Sequence, residues 1–120
     1  MDREQVREDF QFLEEDDRVL AVLVFGSQVA GKAHERSDID ICIVAPDTDP
    51  MDVMGEVWAE VPTDSRNYDV HTFEEFSLKM KHQVMEDHEK VWCRDESRLE
   101  EYFYRFRKLW NDQAVARGVV

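Results

Sequence analysis

The chain has 120 residues, of which 42% are hydrophobic, and its 28 acidic residues against 15 Lys and Arg give a formal net charge of −13. This length predicts one domain over residues 1–120 with its own core. The acidic balance disfavours direct nucleic-acid binding and binding to an anionic membrane surface, because both need clustered basic residues. The negative charge instead favours a small-molecule ligand or a basic protein partner. The alternative is that the excess of acidic residues only keeps the protein surface soluble.

Hydrophobic periodicity predicts alternating helices and strands along the chain. The apolar run VLAVLVF reads as a strand buried on both faces, and Thr72 with Glu75 has the spacing of a capping box at the start of a helix. This order predicts an α/β (α+β) domain in which helices pack on a sheet. We expect strands at residues 19–25, 38–44, 68–73 and 91–94, and helices over residues 3–15, 51–61, about 73–87 and 96–116.

The N-terminal segment and the two cysteines indicate in which cellular compartment the protein is expected. The N-terminus MDREQVRED is acidic and unlike a signal or transit peptide, and no apolar run has the length to cross a bilayer. Cys42 and Cys93 do not form a CxxC pair. The sequence therefore predicts a cytoplasmic protein with two reduced thiols.

Two aspartates, Asp38 and Asp40, interrupt the second apolar strand at alternate positions, opposite three isoleucines. Alternation along a strand points both carboxylates to one side, roughly 7 Å apart at the backbone. Their repulsion costs on the order of 1 kcal/mol unless a cation neutralises it, and Mg²⁺ completes its coordination shell with substrate phosphates. The pair therefore predicts a magnesium site with a phosphate ligand. A second DxD, Asp47 and Asp49, lies in a Pro-flanked loop and is interpreted as a solvated turn.

The loop that follows the first strand offers a place for that phosphate. Gly26 lets the backbone turn sharply, and Ser27 offers a hydroxyl where a short helix would begin. Gly31 and Lys32 follow in the same loop, and Lys32 adds a positive charge.

The run of Gly26-Ser27, Gly31 and Ser37-Asp38-Ile39-Asp40 resembles the motif of the polymerase-beta nucleotidyltransferase superfamily. More narrowly, it is similar to the minimal nucleotidyltransferases, which are often paired with HEPN-domain partners. The strong motif covers about 20 residues, and the rest of the chain matches the family in the order and size of its elements. The resemblance implies a small mixed β-sheet of about four strands packed with helices.

The resemblance also implies site residues and a cofactor. Asp38 and Asp40 would hold two Mg²⁺ ions, and Asp69 on a neighbouring strand would complete one site and help activate the nucleophile, so all three are candidate catalytic and metal residues. Gly26, Ser27, Gly31, Lys32 and Ser37 would bind the nucleotide. Relatives often carry an arginine where this chain has Ala30. Either Lys32 or Arg36 compensates for that arginine, or nucleotide binding is weakened.

The leading hypothesis is a Mg²⁺-dependent nucleotidyltransferase that moves AMP from ATP onto an acceptor hydroxyl. By resemblance, the acceptor is a HEPN-type ribonuclease toxin, which would make this chain the antitoxin of a toxin–antitoxin system. One alternative is a catalytically degenerate antitoxin that neutralises a basic partner by direct contact. A further alternative is transfer to a small molecule, which is weaker because such enzymes usually carry an extra helical domain around the acceptor.

Among the remaining side chains, the four histidines have no metal-ligand spacing. His71 is notable because it shares the strand face of Asp69, whereas Cys42 is expected to be a buried filler. On the C-terminal helix, an aromatic stripe predicts core packing or a partner surface, which leaves homo-oligomerisation open; the stripe is Leu99, Phe103, Phe106 and Trp110.

Overall fold

The computed structural model describes residues 1–26 and 38–116. Five residues singled out above, Ser27, Ala30, Gly31, Lys32 and Ser37, lie outside the described residues, as do Arg36 and His34.

Four strands and five α-helices make up the described chain, with two short 3₁₀ turns beside the helices. In chain order they are α1 (Arg3–Phe10), a 3₁₀ turn (Gln11–Glu15), β1 (Ala21–Phe25), β2 (Ile39–Val44), α2 (Pro50–Glu60), α3 (Thr63–Arg66), β3 (Tyr68–Thr72), a second 3₁₀ turn (Phe73–Glu75), α4 (Leu78–Glu86), β4 (His88–Cys93) and α5 (Glu96–Ala116).

The predicted strands and long helices are confirmed, with differences in the bounds of two helices and of the last strand, which begins at His88 and not at residue 91. The helix expected over residues 73–87 is wrong at its beginning, because the capping box at Thr72 and Glu75 opens only a 3₁₀ turn. Phe76 then has extended backbone, and Ser77 caps a new helix by accepting from the Met80 amide at 3.2 Å. The first helix likewise tightens into a 3₁₀ turn after Phe10. The single turn of α3 was not predicted.

The sheet is mixed, with the strand order β3-β2-β1-β4. β1 pairs antiparallel with β2 and with β4, while β2 pairs parallel with β3. The expected mixed four-stranded sheet packed with helices is confirmed. α2 lies in the connection between the two parallel strands, as such a connection requires. The parallel register places Asp40 opposite Asp69 and Cys42 opposite His71.

Apolar side chains cover both faces of the sheet. On one face, Ile41 and Ile43 pack with residues of α1 and α2, among them Val6, Phe10, Val53 and Val57. On the other face, Cys42 and Val44 pack with residues of α4 and α5, among them Val84, Met85, Leu99 and Phe103. β1 is buried throughout. The alternation predicted for the second strand is therefore confirmed, and two cores hold it in place.

The aromatic stripe of α5 belongs to the second core. Leu99 and Phe103 are fully buried, and Phe106 packs edge-on against Phe73 with ring centroids 5.3 Å apart. Trp110 stacks on His82 at 4.4 Å. The interpretation of this stripe as core packing is confirmed. Within the described residues, no helix is long and apolar enough to span a membrane.

The start of β3 is fixed to α1 by a partly buried polar contact. The Tyr68 hydroxyl donates to Asp9 Oδ2 at 2.5 Å, and Arg66 Nε donates to the same oxygen at 2.9 Å. Gln5 Nε2 donates to the other carboxylate oxygen at 3.1 Å. Since Tyr68 directly precedes Asp69, this network sets where that aspartate emerges from the sheet.

We expect Tyr68→Phe to lower the free energy of unfolding by about 1–2 kcal/mol, because it removes a hydrogen bond to an ionised carboxylate. Urea denaturation measures the change. Tyr104→Phe is the matched control, since Tyr104 is 64% exposed and its variant should unfold at the same urea concentration as the parent. Equal stability of the two variants would show that the Asp9 contact contributes nothing.

Candidate active site

A cleft of about 400 Å³ opens on the α4 side of the sheet, where β1 ends, β2 begins and β3 passes. Acidic and apolar side chains share its wall. The lining residues are Phe25, Gly26, Asp40, Asp69, His71, Phe76, Met80, Gln83 and Asp87. Three of the predicted site residues, Gly26, Asp40 and Asp69, therefore meet in one cleft.

Asp40 and Asp69 face each other across the parallel strand pair. Asp40 is half-buried, whereas the Asp69 side chain is 51% exposed. Asp38 stands just before β2 and is exposed, and it is not among the residues that line the cleft. The structure thus brings two of the three predicted carboxylates together in the lining of the cleft, and Asp38 is not part of that lining.

The electrostatics of the cleft act chiefly on Asp40. Burial raises the pKa of its carboxyl, and the negative charges of Asp69 and Asp38 raise it further, while His71 acts in the opposite direction. An aspartate beside other carboxylates, with no cation among them, favours its protonated form. The cleft is therefore short of positive charge within the described chain.

The His71 ring lies between Asp69 and Glu75. Its Nε2 lies 3.0 Å from Asp69 Oδ1, and its Nδ1 lies 3.3 Å from Glu75 Oε1. Glu75 Oε1 also accepts from the Thr72 amide at 2.9 Å, which anchors this line of three side chains to the backbone. Alternation along β3 predicted the position of His71, but the role of Glu75 was missed, since its capping-box spacing indicated only a helix start.

Gly26 packs directly on the Asp40 carboxylate. Its φ of +79° lies in the region that favours glycine, and a Cβ built there would stand 2.2 Å from Asp40 Oδ2. The sharp turn predicted for Gly26 is confirmed. Its contact with a nucleotide stays a prediction.

Oxygen ligands from carboxylates are the donors that Mg²⁺ prefers, so the chemistry of the cleft fits this ion. The present arrangement does not yet form a complete site: across residues 1–26 and 38–116, no three His, Cys, Asp or Glu side chains are grouped as they would be around one metal ion. Asp69 lies beside His71, and Asp38 is exposed and is not among the residues that line the cleft. Metal binding by Asp38, Asp40 and Asp69 stays a prediction.

The second DxD has a structural role. Asp49 accepts from the Met51 amide at 3.0 Å and caps α2, and Asp47 sits in a turn with a φ of 55°. The interpretation of this pair as a turn is confirmed.

Residues 10–97 match the family model described as polymerase beta, nucleotidyltransferase. The chain belongs to the polymerase beta nucleotidyltransferase family. It is 36% identical over 96 residues to a protein of Methanocaldococcus jannaschii that is named as a candidate protein adenylyltransferase, an alignment that spans 79% of this chain and 72% of that protein. The resemblance seen in the motif is confirmed, and this chain is a nucleotidyltransferase.

Solved structures support the fold of this nucleotidyltransferase. A chain of a toxin–antitoxin complex with AMP-PNP aligns with a TM-score of 0.76 at 18% identity, over 98% of this chain and 94% of that one. A chain from a complex of a tri-AMPylated Shewanella oneidensis HEPN toxin with an MNT antitoxin aligns with a TM-score of 0.70 at 16% identity, over 98% and 93%. These likenesses show a shared fold.

We expect Asp40→Asn to stabilise the metal-free nucleotidyltransferase at neutral pH. The raised pKa of Asp40 means that the folded wild type binds its proton more tightly than the unfolded chain does. Wild-type stability therefore falls as pH rises through the ordinary value of 3.8 and is lowest above the folded pKa, whereas the asparagine variant does not titrate there.

Thermal unfolding from pH 3 to pH 7 in EDTA measures this difference. The variant should unfold at a higher temperature than wild type at pH 7, and the gap should close at pH 3. Asp17→Asn, at an exposed turn, is the control and should show no such gap. A variant less stable than wild type at pH 7 would contradict the electrostatic picture of the cleft.

We expect Gly26→Ala to lower the free energy of unfolding by about 1–3 kcal/mol, because alanine at this φ is strained and its methyl group displaces the Asp40 carboxylate. Gly55→Ala is the matched control. A Cβ at Gly55 meets nothing within 4 Å, so its greater helix propensity should raise stability by about 0.5–1 kcal/mol. Chemical denaturation of both variants checks the opposite signs.

Proposed function

We propose that this nucleotidyltransferase transfers AMP from ATP to a hydroxyl group on a HEPN-type toxin, with Mg²⁺ as cofactor, and so acts as an antitoxin. The observation that carries the proposal is the register of Asp40 and Asp69, which places two carboxylates from neighbouring strands in a cleft closed by the Gly26 turn. The M. jannaschii relative named as a candidate protein adenylyltransferase supports the reaction. The solved complex of an AMPylated HEPN toxin with an MNT antitoxin suggests the acceptor.

The nucleotide would lie between the glycine turn and the acidic strands. Gly26 lines the cleft of about 400 Å³ that would receive the phosphates, and Ser27, Gly31, Lys32 and Ser37 would contribute donors from the following segment. Asp38, Asp40 and Asp69 would hold Mg²⁺. When bound, this ion neutralises charge on the phosphates and lowers the pKa of the attacking hydroxyl.

The chemical step is an in-line displacement at the α-phosphorus. The acceptor oxygen forms a bond to that phosphorus, the bond from the phosphorus to the bridging oxygen breaks, and pyrophosphate leaves with the electron pair. The proton of the acceptor hydroxyl passes to the Asp69 carboxylate. Asp69 suits this role because it is half-exposed to an incoming hydroxyl and lies beside His71, whose Nε2 is 3.0 Å from Asp69 Oδ1.

A second candidate function is neutralisation of a basic partner by contact alone. It is favoured by one observation, that the described carboxylates are not grouped around a common metal position. Ala30, in place of the arginine of relatives, also favours it. The net charge of −13 suits a basic partner under both functions.

Calorimetric titration of ATP with and without Mg²⁺ is the first test. We expect wild-type binding that requires Mg²⁺, and a loss of at least about tenfold in affinity, or about 1.4 kcal/mol, in the double variant Asp38→Asn, Asp40→Asn. The control Asp47→Asn, Asp49→Asn removes the same two charges from the other DxD and can still cap α2. It should bind ATP like wild type. No binding by the wild type would overturn the proposed reaction.

Transfer is then measured with ATP labelled at the α-phosphate and a purified HEPN-domain protein of the same organism. Wild type should label the HEPN protein, and Asp69→Asn should bind Mg²⁺–ATP but transfer far more slowly. If the Asp38, Asp40 double variant still inhibits the toxin while no label is transferred, contact alone is the function.

A further inference from the structure

The outward side of α2 carries an apolar stripe. Met51 is 62% exposed and Trp58 is 58% exposed, and Gly55 lies between them. Because these positions are four and three residues apart, they share one side of the helix. Tryptophan is usually well buried, and an exposed tryptophan beside another apolar side chain is typical of contact surfaces. We call Met51, Gly55 and Trp58, with the acidic residues beside them, the outer face of α2.

Gly55 has no role within the described chain that requires glycine. It lies in the middle of a helix, where glycine is less favourable than alanine, and an added Cβ would meet nothing within 4 Å. Its effect is to leave a notch between the Met51 and Trp58 side chains. A notch of this kind lets the backbone or side chain of another molecule approach the helix closely.

Negative charge lies on one side of this stripe, since the acidic residues of α2 follow one another around the helix next to Met51 and Gly55. Asp52, Glu56 and Glu60 are all exposed, and residues 50–60 contain no Lys, Arg or His. Glu56 accepts from Arg18 at 2.8 Å, but Arg18 also binds Asp16, so this local group stays acidic. By contrast, α5 is balanced, with Glu96, Glu100, Glu101 and Asp112 against Arg98, Arg105, Arg107 and Lys108.

The outer face lies on the side of the sheet away from the cleft. The inward residues of α2, Val53 and Val57, pack with Ile41 and Ile43 in the first core. The cleft opens among Phe25, Phe76 and Met80, which belong to the second core. A molecule docked on the outer face of α2 therefore leaves the cleft open.

We propose that the outer face of α2 is a docking site for a basic helical segment of a partner protein. The apolar side of such a helix would cover Trp58 and Met51 at the Gly55 notch, and its Lys or Arg residues would face Asp52 and Glu56 on the adjoining side of α2. A second copy of this chain fits less well, because each copy carries a charge of −13. The proposal goes beyond the transfer reaction, since docking uses none of the carboxylates of the cleft.

The test titrates the full chain with two helical peptides of roughly 18 residues, one built from Leu and Lys on opposite sides and one from Leu and Glu. We expect the Leu/Lys peptide to bind and to weaken as salt rises, and the Leu/Glu peptide not to bind. Gly55→Arg should reduce the affinity at least about tenfold and leave the melting temperature no lower, because arginine is the better helix former. Trp58→Ala should weaken binding as well.

Leu109→Arg is the matched control, since it adds the same charge at an exposed apolar position of α5 and should keep wild-type affinity. The double variant Asp38→Asn, Asp40→Asn should also keep it, so that a failure of ATP binding and a failure of docking are separate results. Equal affinities of the Gly55→Arg and Leu109→Arg variants, or tight binding of the Leu/Glu peptide, would overturn the proposal. So would sedimentation showing a wild-type dimer that Gly55→Arg dissociates, which would make the occupant a second copy.

Discussion

The opposition of Asp40 and Asp69 across a parallel strand pair is the constraint on which the site depends. Two carboxylates in register repel each other, and Asp40 is also partly removed from water. The chain tolerates this cost because β2 is held from both sides, by Ile41 and Ile43 in one core and by Cys42 and Val44 in the other. The strand cannot slip to separate the charges, since a one-residue shift would exchange the residues of the two cores.

The same sheet separates two surfaces of the molecule, one on the α4 side and one on the α2 side. The α4 side contains the cleft, where the turn at Gly26 packs on Asp40 and His71 lies beside Asp69. The α2 side contains the exposed Trp58 and an acidic surface. Under the proposed functions, a partner would bind at the outer face of α2 while transfer takes place at the cleft, so the strength of binding could change without altering the chemistry.

Most of the sheet and the positions of its acidic residues could be predicted from the sequence, because the residue patterns that indicate them are local. Alternation in β2 separates Asp40 from Ile41, and the uninterrupted apolar run of β1 indicates burial on both faces. The start of α4 and the partners of Asp69 could not be predicted. A capping box looks the same whether it opens a 3₁₀ turn or a full helix, and Ser77 offers an equally good cap nearby. The Glu75–His71–Asp69 line depends on how β3 leads into that turn.

The pairing of Asp69 with His71 also bears on why the carboxylates do not yet surround one position. Without a cation, a carboxylate beside Asp40 lowers its energy by lying close to a group of opposite or no charge, and the His71 ring, with its Nε2 3.0 Å from Asp69 Oδ1, is such a group. The same arrangement is expected of an active enzyme before its ligand binds and of a degenerate one. An active enzyme and a degenerate one differ in whether a cation binds Asp69 strongly enough to replace its contact with His71. Mg²⁺ takes few ligands from protein and most from phosphate and water, so under the proposed function it would compete for Asp69 only when a nucleotide arrives with it. A metal-dependent gain in ATP affinity would therefore be the energetic sign that the acids of the cleft have been drawn together.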